Sequence, residues 1–305
     1  MPAITASLSR LDALLSLASP GVLRTFARLQ LARAWRFHVR DYDFENYGLE
    51  HAISNDQGVL MRSPNPDERR DFASWLARNA HGEVSAAALE VLRAKNARES
   101  YTERYVSADL VLTMLDGLGL PNDPVAALAS VVRELRTSEP RFLEHGTETI
   151  MAGEMVRQVQ APRSDAWAFG LAIAARPSLL GLARWPVMFS GVGSRELFRA
   201  MAERAPADVL GDALVASLTA AEEDFGAARQ IEREAESLQG ELRADSKAPD
   251  TFRLVRSYES MTRAEIARAL GVTIRTASLG VSALQRLGCC VFHEPSRTVR
   301  AVSPW

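Results

Sequence analysis

The chain has few cysteines and few lysines. Only two cysteines occur among its 305 residues, and they are neighbours, Cys289 and Cys290. Adjacent cysteines do not readily form an ordinary disulfide, which excludes a disulfide-stabilised secreted scaffold. Of the 36 basic residues, only Lys95 and Lys247 are lysines. Codon bias in a GC-rich genome is the simplest explanation, so the arginine content alone is no evidence for nucleic-acid binding.

Long uninterrupted apolar runs are also missing. The most apolar region begins at Ala166 and is interrupted by two arginines and two prolines between residues 176 and 186. Its uncharged start, 166–175, is too short to span a bilayer. No basic, apolar and small-residue signal opens the chain. We therefore expect a cytoplasmic protein with no membrane partner.

The sequence has none of the motifs that mark an enzyme or a metal site. Its five histidines lie far apart without the spacing of paired metal ligands. A phosphate-binding loop, a nucleophile elbow and a metalloprotease helix are all absent from the sequence. We therefore expect no enzymatic activity, no metal and no cofactor.

Two features of the region 166–198 allow a binding site as well as a structural role. The glycine pair in SGVGSRELF, 190–198, is typical of a helix cap at Ser194, with an anion cradle as the alternative. Four aromatic residues indicate core packing, with a ligand pocket as the alternative. They are Trp167, Phe169, Trp185 and Phe189.

The net charge of −2 is unevenly distributed. Residues 252–305 contain eight arginines and three glutamates, a net charge of +5, so residues 1–251 carry −7. An acidic body with a basic C-terminal tail indicates a polyanionic partner for the tail alone.

The first 205 residues read as a helical body. Apolar residues recur at helical spacing over 4–40, with a break at Pro20-Gly21. Residues 55–70 are loop-like, and no sustained alternating pattern precedes residue 288, so the body is predicted to be all-α. Further helices are predicted at about 66–80, 83–96, 105–117, 123–136 and 147–159.

Residues 206–242 predict one long helix with a seam of nearly heptad spacing, which runs from Leu214 to Leu242. One interpretation is a dimerisation helix, assigned to 206–243, that sets the distance between the basic C-terminal tails of two chains. The alternative is an amphipathic helix packed on its own body. The stretch ADSKAPDT, 244–251, is predicted to be a short linker.

The stretch TRAEIARALGVTIRTASLGVSALQRLG, 262–288, predicts two short helices. Thr262 and Glu265 have the spacing of a capping box. Gly271 follows where a left-handed residue turns the chain, Val272 fills the corner, and Thr273 caps a second helix that ends at Gly288. The inward face of that second helix is predicted to contain Ala277, Val281, Leu284 and Leu287.

These residues resemble the helix-turn-helix core of bacterial winged-helix DNA-binding domains. The resemblance continues in CCVFHEPSRTVRAV, 289–302, where two β-prone runs around EPSR suit a two-stranded wing. It covers about a sixth of the chain and implies a winged helix-turn-helix domain at 252–305. The fold class is therefore mainly α: a helical body, a long linking helix and a C-terminal winged helix with a small β-hairpin.

The resemblance implies that the second helix enters the major groove of double-stranded DNA. The outward positions expected to face the groove are Ile274, Arg275, Thr276, Ser278 and Leu279, and the N-cap Thr273 is expected to present the helix N-terminus to a phosphate. Arg275 can pair bidentately with guanine, and the hydroxyls can reach bases or phosphates. Arg297 and Arg300 on the wing are expected to follow the DNA backbone or the minor groove, and Arg263 and Arg268 on the first helix are expected to contact phosphates.

Two residue choices in the tail allow more than one explanation. Gly280 lies inside a predicted helix, where glycine costs about 1 kcal/mol relative to alanine. Either a close approach by another helix or by DNA requires it, or the cost is tolerated. Strand alternation at Cys289-Cys290 predicts one buried and one exposed thiol, which favours a structural role over oxidant sensing.

The sequence therefore predicts a sequence-specific transcriptional regulator. It would act as a homodimer on an inverted repeat, with a small-molecule or protein effector acting on the body. The alternative is a non-enzymatic adaptor, for example a mobile-element or plasmid maintenance factor. Its tail would make protein contacts or unselective DNA contacts.

Overall fold

The computed structural model describes residues 2–40, 53–55, 58–60, 66–97, 105–144, 147–152, 155–160, 164–182, 187–189, 192–201, 204–243, 245–258, 260–294 and 296–302. Within these ranges the chain is mainly helical and forms twelve α-helices. In chain order they are α1 (Pro2–Ser16), α2 (Pro20–Arg40), α3 (Pro66–Asn79), α4 (Gly82–Ala94), α5 (Val106–Gly117), α6 (Pro124–Ser138), α7 (Trp167–Ala175), α8 (Arg195–Ala200), α9 (Pro206–Glu241), α10 (Ala248–Tyr258), α11 (Arg263–Leu270) and α12 (Ile274–Arg286). Among these helices, none has both the length and the apolar character that a bilayer crossing requires.

Seven short strands form three antiparallel sheets in the described residues. They are β1 (Ile53–Asn55), β2 (Gly58–Leu60), β3 (Thr147–Ala152), β4 (Met155–Gln160), β5 (Ser260–Thr262), β6 (Cys290–His293) and β7 (Thr298–Ala301). β1 pairs with β2 and β3 with β4, while the C-terminal sheet has the order β5-β7-β6.

The predicted helices of the body are confirmed with one exception. The break at Pro20-Gly21 separates α1 from α2, and α3 to α6 lie where the apolar spacing predicted them. The helix predicted at 147–159 is wrong, because β3 and β4 form a hairpin there. The body is therefore mainly helical but not all-α, and the loop-like segment 55–70 contains β2 and the start of α3. β-Branched residues on both sides of Gly153 were the available signal.

The long helix α9 is the central element of the core. It packs against α1, α2, α6, α8 and α10. Its predicted seam is buried within the chain from Leu214 to Leu238 and partly buried at Leu242, and Phe225 meets Phe26 of α2 edge to face with ring centroids 5.9 Å apart. The seam therefore packs on the chain's own helices, the second of the two alternatives. A dimer through this seam would require α9 to leave α2.

Helix α2 directs polar side chains toward α9, where acidic residues accept their hydrogen bonds. Arg33 donates two hydrogen bonds to Asp224, at 2.7 and 2.6 Å, and Gln30 donates to the same carboxylate at 2.7 Å. Thr25 donates to Glu232 at 2.5 Å. The hydrogen bond and charge of Asp224, opposed by desolvation, raise the pKa of Arg33. These contacts fix the rotation of α2 on α9, because buried polar groups need partners.

The predicted linker at 244–251 is wrong from Ala248 onward. Ala248 is buried and begins α10, a helix with a strongly apolar inner face, so the predicted domain boundary at 252 falls inside a helix. Arg253 of α10 donates to Glu232 at 2.9 Å, and Tyr258 donates to Glu90 of α4 at 3.0 Å. α10 therefore connects the tail to the body by side-chain contacts as well as by the chain.

The first helix of the tail also packs on the body. α11 contacts α4, and Arg268 Nε donates to the carbonyl oxygen of Ala94 at 2.7 Å. Lys95 forms an ion pair with Glu265. Burial opposes ionisation of Glu265, but its hydrogen bonds from Lys95 and Thr262 outweigh burial and lower its pKa. The tail is thus held against the C-terminal end of α4 by α11.

We predict that Glu90 is a principal stabilising residue of this junction. Arg28 donates to both Glu90 oxygens, at 2.9 and 2.7 Å, and both side chains are mostly buried. Burial lowers the pKa of Arg28, but Glu90 outweighs it and raises the pKa. Glu90→Gln leaves a buried guanidinium without its counter-charge, so the free energy of unfolding should fall by about 3 kcal/mol.

Glu222→Gln is the matched control for chemical denaturation of Glu90→Gln. Glu222 binds Arg10 at 2.6 Å, but the side chain of Arg10 is 62% exposed. Removal of this pair should cost less than about 1 kcal/mol. Equal losses in the two variants would contradict the assignment of Glu90.

Candidate nucleic-acid interface

Helix α11 begins and ends as its sequence predicts. Thr262 Oγ1 accepts from Glu265 N at 3.2 Å, and Glu265 accepts from Thr262 N at 2.7 Å, which completes the capping box. Gly271 adopts a left-handed φ of 65°, and Val272 N donates back to Ala267 O at 2.9 Å. Val272 packs against the core at the corner. The sharp turn directs the chain into α12.

Helix α12 has one buried face and one exposed face. Thr273 Oγ1 accepts from Thr276 N at 3.2 Å and so caps the helix. The predicted inner residues Ala277, Val281 and Leu284 are fully buried. Leu287 is not: it is 39% exposed because it follows the last helical turn.

The outer face of α12 combines cationic, polar and apolar side chains. Arg275 is exposed, as are Ile274 at 59% and Leu279 at 64%. Thr276 and Ser278 are half-buried, and Thr276 Oγ1 lies 3.0 Å from Thr273 Oγ1. All six predicted positions therefore lie on or beside one surface, which starts at the N-terminus of the helix.

Gly280 permits a close contact between α12 and the start of α10. A Cβ placed at Gly280 would lie 3.0 Å from Thr251 Oγ1 and 3.4 Å from the carbonyl group of Lys247. Thr251 is fully buried and donates to Lys247 O at 2.8 Å, so it has little freedom to move. Close approach of another helix, one of the two sequence alternatives, accounts for this glycine.

The C-terminal sheet contains the predicted hairpin and a strand that the sequence did not reveal. β6 and β7 pair as predicted: Cys290 lies opposite Ala301 at one end, and His293 lies opposite Thr298 at the other. β5 adds to β7 on the other side, with Met261 opposite Val299. β5 has only three residues and forms by long-range pairing, so no local pattern marks it.

The tip of the β6–β7 hairpin is shaped by side-chain hydrogen bonds. Ser296 Oγ lies 2.8 Å from His293 Nδ1 and 2.7 Å from Thr298 Oγ1. Arg297 has a left-handed φ of 51° and is exposed, and Arg300 is exposed on β7. The hairpin thus presents two arginines to solvent.

The four arginines predicted to contact DNA, other than Arg275, divide into two pairs. Arg297 and Arg300 form no ion pair with another described residue. By contrast, the Nε of Arg268 is held by Ala94 O at 2.7 Å. The guanidinium carbon of Arg263 lies 4.8 Å from the Phe292 ring centroid. Both residues therefore have contacts inside the protein, while Arg268 is still exposed, and their contact with phosphates stays a prediction.

Both cysteines are buried, so the predicted alternation is wrong. Cys289 is 5% exposed and Cys290 is 4% exposed. Cys289 precedes β6 and lies in the turn that closes α12, where its N–H donates to Leu284 O at 2.9 Å. Burial raises the pKa of both thiols, that of Cys290 to about 11.

The other candidate sites from the sequence, where the structure describes them, have structural roles. Ser194 Oγ accepts from Leu197 N at 3.1 Å, a helix cap as predicted, and a Cβ at Gly193 would lie 2.7 Å from Ala166 O. Phe169 is buried, Trp167 and Phe189 line a cavity of about 30 Å³, and Trp185 lies outside the described residues. No cluster of three potential metal ligands occurs within the described ranges.

No protein-family model matches this chain, and no curated protein matches it. Function is therefore inferred from the geometry of the chain itself.

We predict that Gly280→Val destabilises the protein through the contact with α10. The added side chain overlaps Thr251 and the backbone at Lys247, and such overpacking costs about 1–3 kcal/mol. Ser282→Val is the control, since Ser282 is exposed on the same helix and its replacement should cost about 0.5 kcal/mol or less. Thermal unfolding of both variants measures the difference, and equal melting temperatures would contradict the contact.

The thiols should react slowly with a disulfide reagent in the native protein. A pKa of about 11 leaves only about one Cys290 in a thousand as thiolate at pH 8, and thiolate is the reactive form. Denaturant should expose both cysteines and accelerate the reaction by at least about tenfold. Two rapidly modified thiols in the native protein at pH 8 would contradict this burial.

Proposed function

We propose that the chain binds double-stranded DNA through a C-terminal winged helix-turn-helix formed by α11, α12 and the β5-β7-β6 sheet. The observation that carries the proposal is the outer surface of α12 and the hairpin. Arg275, Arg297 and Arg300 are exposed there, and none forms an ion pair with another described residue. Charges without internal partners remain available for phosphates and base edges.

In this proposal α12 lies in the major groove. Arg275 pairs bidentately with a guanine, Ile274 contacts a thymine methyl group, and the capped N-terminus at Thr273 faces a phosphate. Arg297 and Arg300 contact the backbone beside the groove. Arg263 and Arg268 orient the surface through their internal contacts, and the exposed Arg268 keeps its terminal nitrogens for a phosphate.

The intact protein is proposed to act as a cytoplasmic transcriptional regulator that reads an inverted repeat as a homodimer. The buried seam of α9 is excluded as the dimer contact in this arrangement. Dimerisation therefore uses another surface, and the spacing of the half-sites reports its geometry.

A second candidate function is protein binding by the same surface. Leu279 and Val291 are 64% and 50% exposed, which is more apolar surface than phosphate contacts require. An adaptor, for example a plasmid maintenance factor, would bury these residues against a protein partner. The basic charge of the tail favours DNA, because phosphate neutralisation supplies most of the unselective affinity.

Selection from a pool of random duplex DNA, followed by anisotropy titration, tests the first function. We expect the intact protein to enrich a symmetric site. The Arg275→Ala/Thr276→Ala variant should bind that site at least about tenfold more weakly, since a bidentate base contact is worth about 1–3 kcal/mol. Arg133→Ala/Thr137→Ala is the matched control on the exposed face of α6 and should bind like the unmodified protein.

Salt dependence separates base contacts from phosphate contacts. Arg297→Ala and Arg300→Ala should each reduce the slope of log K against log salt by about 1, with no change in the preferred sequence. Unselective binding that the α12 variant does not alter would contradict base reading. A stable protein complex without DNA would favour the adaptor.

A further inference from the structure

A polar cleft lies where the tail meets the body. Its volume is about 390 Å³, within the range of small-molecule sites, and its walls come from α2, α4, α9, α10 and α11. Three arginines and three carboxylates line it, together with Gly21 and the end of α11. The six charged residues are Arg24, Arg28, Arg253, Glu90, Glu232 and Asp250.

Each of the three carboxylates already has a cationic partner. Glu90 accepts two hydrogen bonds from Arg28 and one from Tyr258. Glu232 accepts from Thr25 and Arg253, and Asp250 accepts from Arg253 at 3.1 Å. The acidic groups of the cleft are therefore neutralised within the protein.

The arginines, by contrast, retain donors that the protein does not use. Arg24 Nε donates only a long bond, 3.3 Å, to Pro20 O, and its terminal nitrogens bond to no other described residue. Arg28 uses Nε and Nη2, and Arg253 uses Nε and Nη1, so each has one terminal nitrogen without a described acceptor. The groups in the cleft that can still form hydrogen bonds are therefore N–H donors.

The geometry of α2 concentrates these donors. Gly21, Arg24 and Arg28 follow one another at spacings of three and four, so they lie along one face of the helix. Glu232 Oε2 would lie 3.0 Å from a Cβ at Gly21, so any larger residue would crowd the carboxylate that holds Arg253 in the opposite wall. The first turn of α2 adds positive potential from its backbone N–H groups.

We propose that this cleft binds a small molecule through an oxyanion group, either a carboxylate or a phosphate. Arg24 provides the principal fork of donors, with Arg28 and Arg253 on either side. A guanidinium fork matches both groups, since each offers two oxygens in one plane.

A bound ligand would touch the body and the tail together, because Ala269 and Leu270 of α11 line the same cleft. Ligand binding would then alter DNA affinity, and DNA would alter ligand affinity by the same factor. This coupling rests on the proposed DNA-binding function, whereas the site itself does not.

Thermal unfolding of the full chain without DNA tests the site. The probes are inorganic phosphate and acetate, titrated against sodium chloride at constant ionic strength. A ligand at ten times its dissociation constant should raise Tm by on the order of 2 °C and reach saturation as a single site. A response to one probe alone would identify which oxyanion the cleft takes.

Arg24→Gln removes the charge of Arg24 and should weaken anion binding at least about tenfold, while Arg24→Lys should retain part of it. Arg24 is exposed, so the unliganded Tm of the variant should match that of the unmodified chain. Arg133→Gln, an exposed arginine on α6, is the matched control and should leave binding unchanged. The site is overturned if neither probe gives a saturable shift, or if Arg24→Gln binds as tightly as Arg133→Gln.

A second titration tests the coupling. The affinity for the selected duplex is measured with and without the anion that raised Tm, and a several-fold change that is absent in Arg24→Gln is expected. If the anion does not change the affinity for the duplex, the coupling is overturned, but the anion site itself is not. Failure of DNA binding itself would overturn the proposed function and leave the thermal result unaffected.

Discussion

Pairing of charges around α2 is the constraint on which the arrangement of this chain depends. Glu90 of α4 and Glu232 of α9 each connect α2 to α10, through Tyr258 and Arg253 respectively. Burial of an unpaired charge costs several kcal/mol, so these elements keep their partners only in one relative position. Apolar packing between α2 and α9 supplies the driving force, and the charges select the register.

The position of the tail follows from this network. α10 is fixed to α9 by Arg253, α11 is fixed to α4 by Arg268 and Glu265, and α12 packs on α10 at Gly280. Every one of these contacts uses the inner side of the tail. The outer side of α12 and the hairpin therefore faces solvent with its arginines unpaired, which is the arrangement that the proposed DNA contact needs.

Features that depend on residues close together along the chain could be predicted from the sequence. The capping box at Thr262, the left-handed Gly271 and the cap at Thr273 are set by neighbours within four residues, and the structure has all three. β5 and the binding of Arg268 to Ala94 were missed because their partners lie far away along the chain. The linker prediction failed at Ala248 because polar residues of 244–251 are also acceptable in the first turn of an amphipathic helix.

Hydrogen exchange of the intact protein, with and without the selected duplex, tests the central claim most directly. We expect slower exchange on DNA binding at residues 273–279 and 296–300. Protection confined to the body, or none in α12 at saturating DNA, would contradict the assignment of this surface as the one that meets DNA.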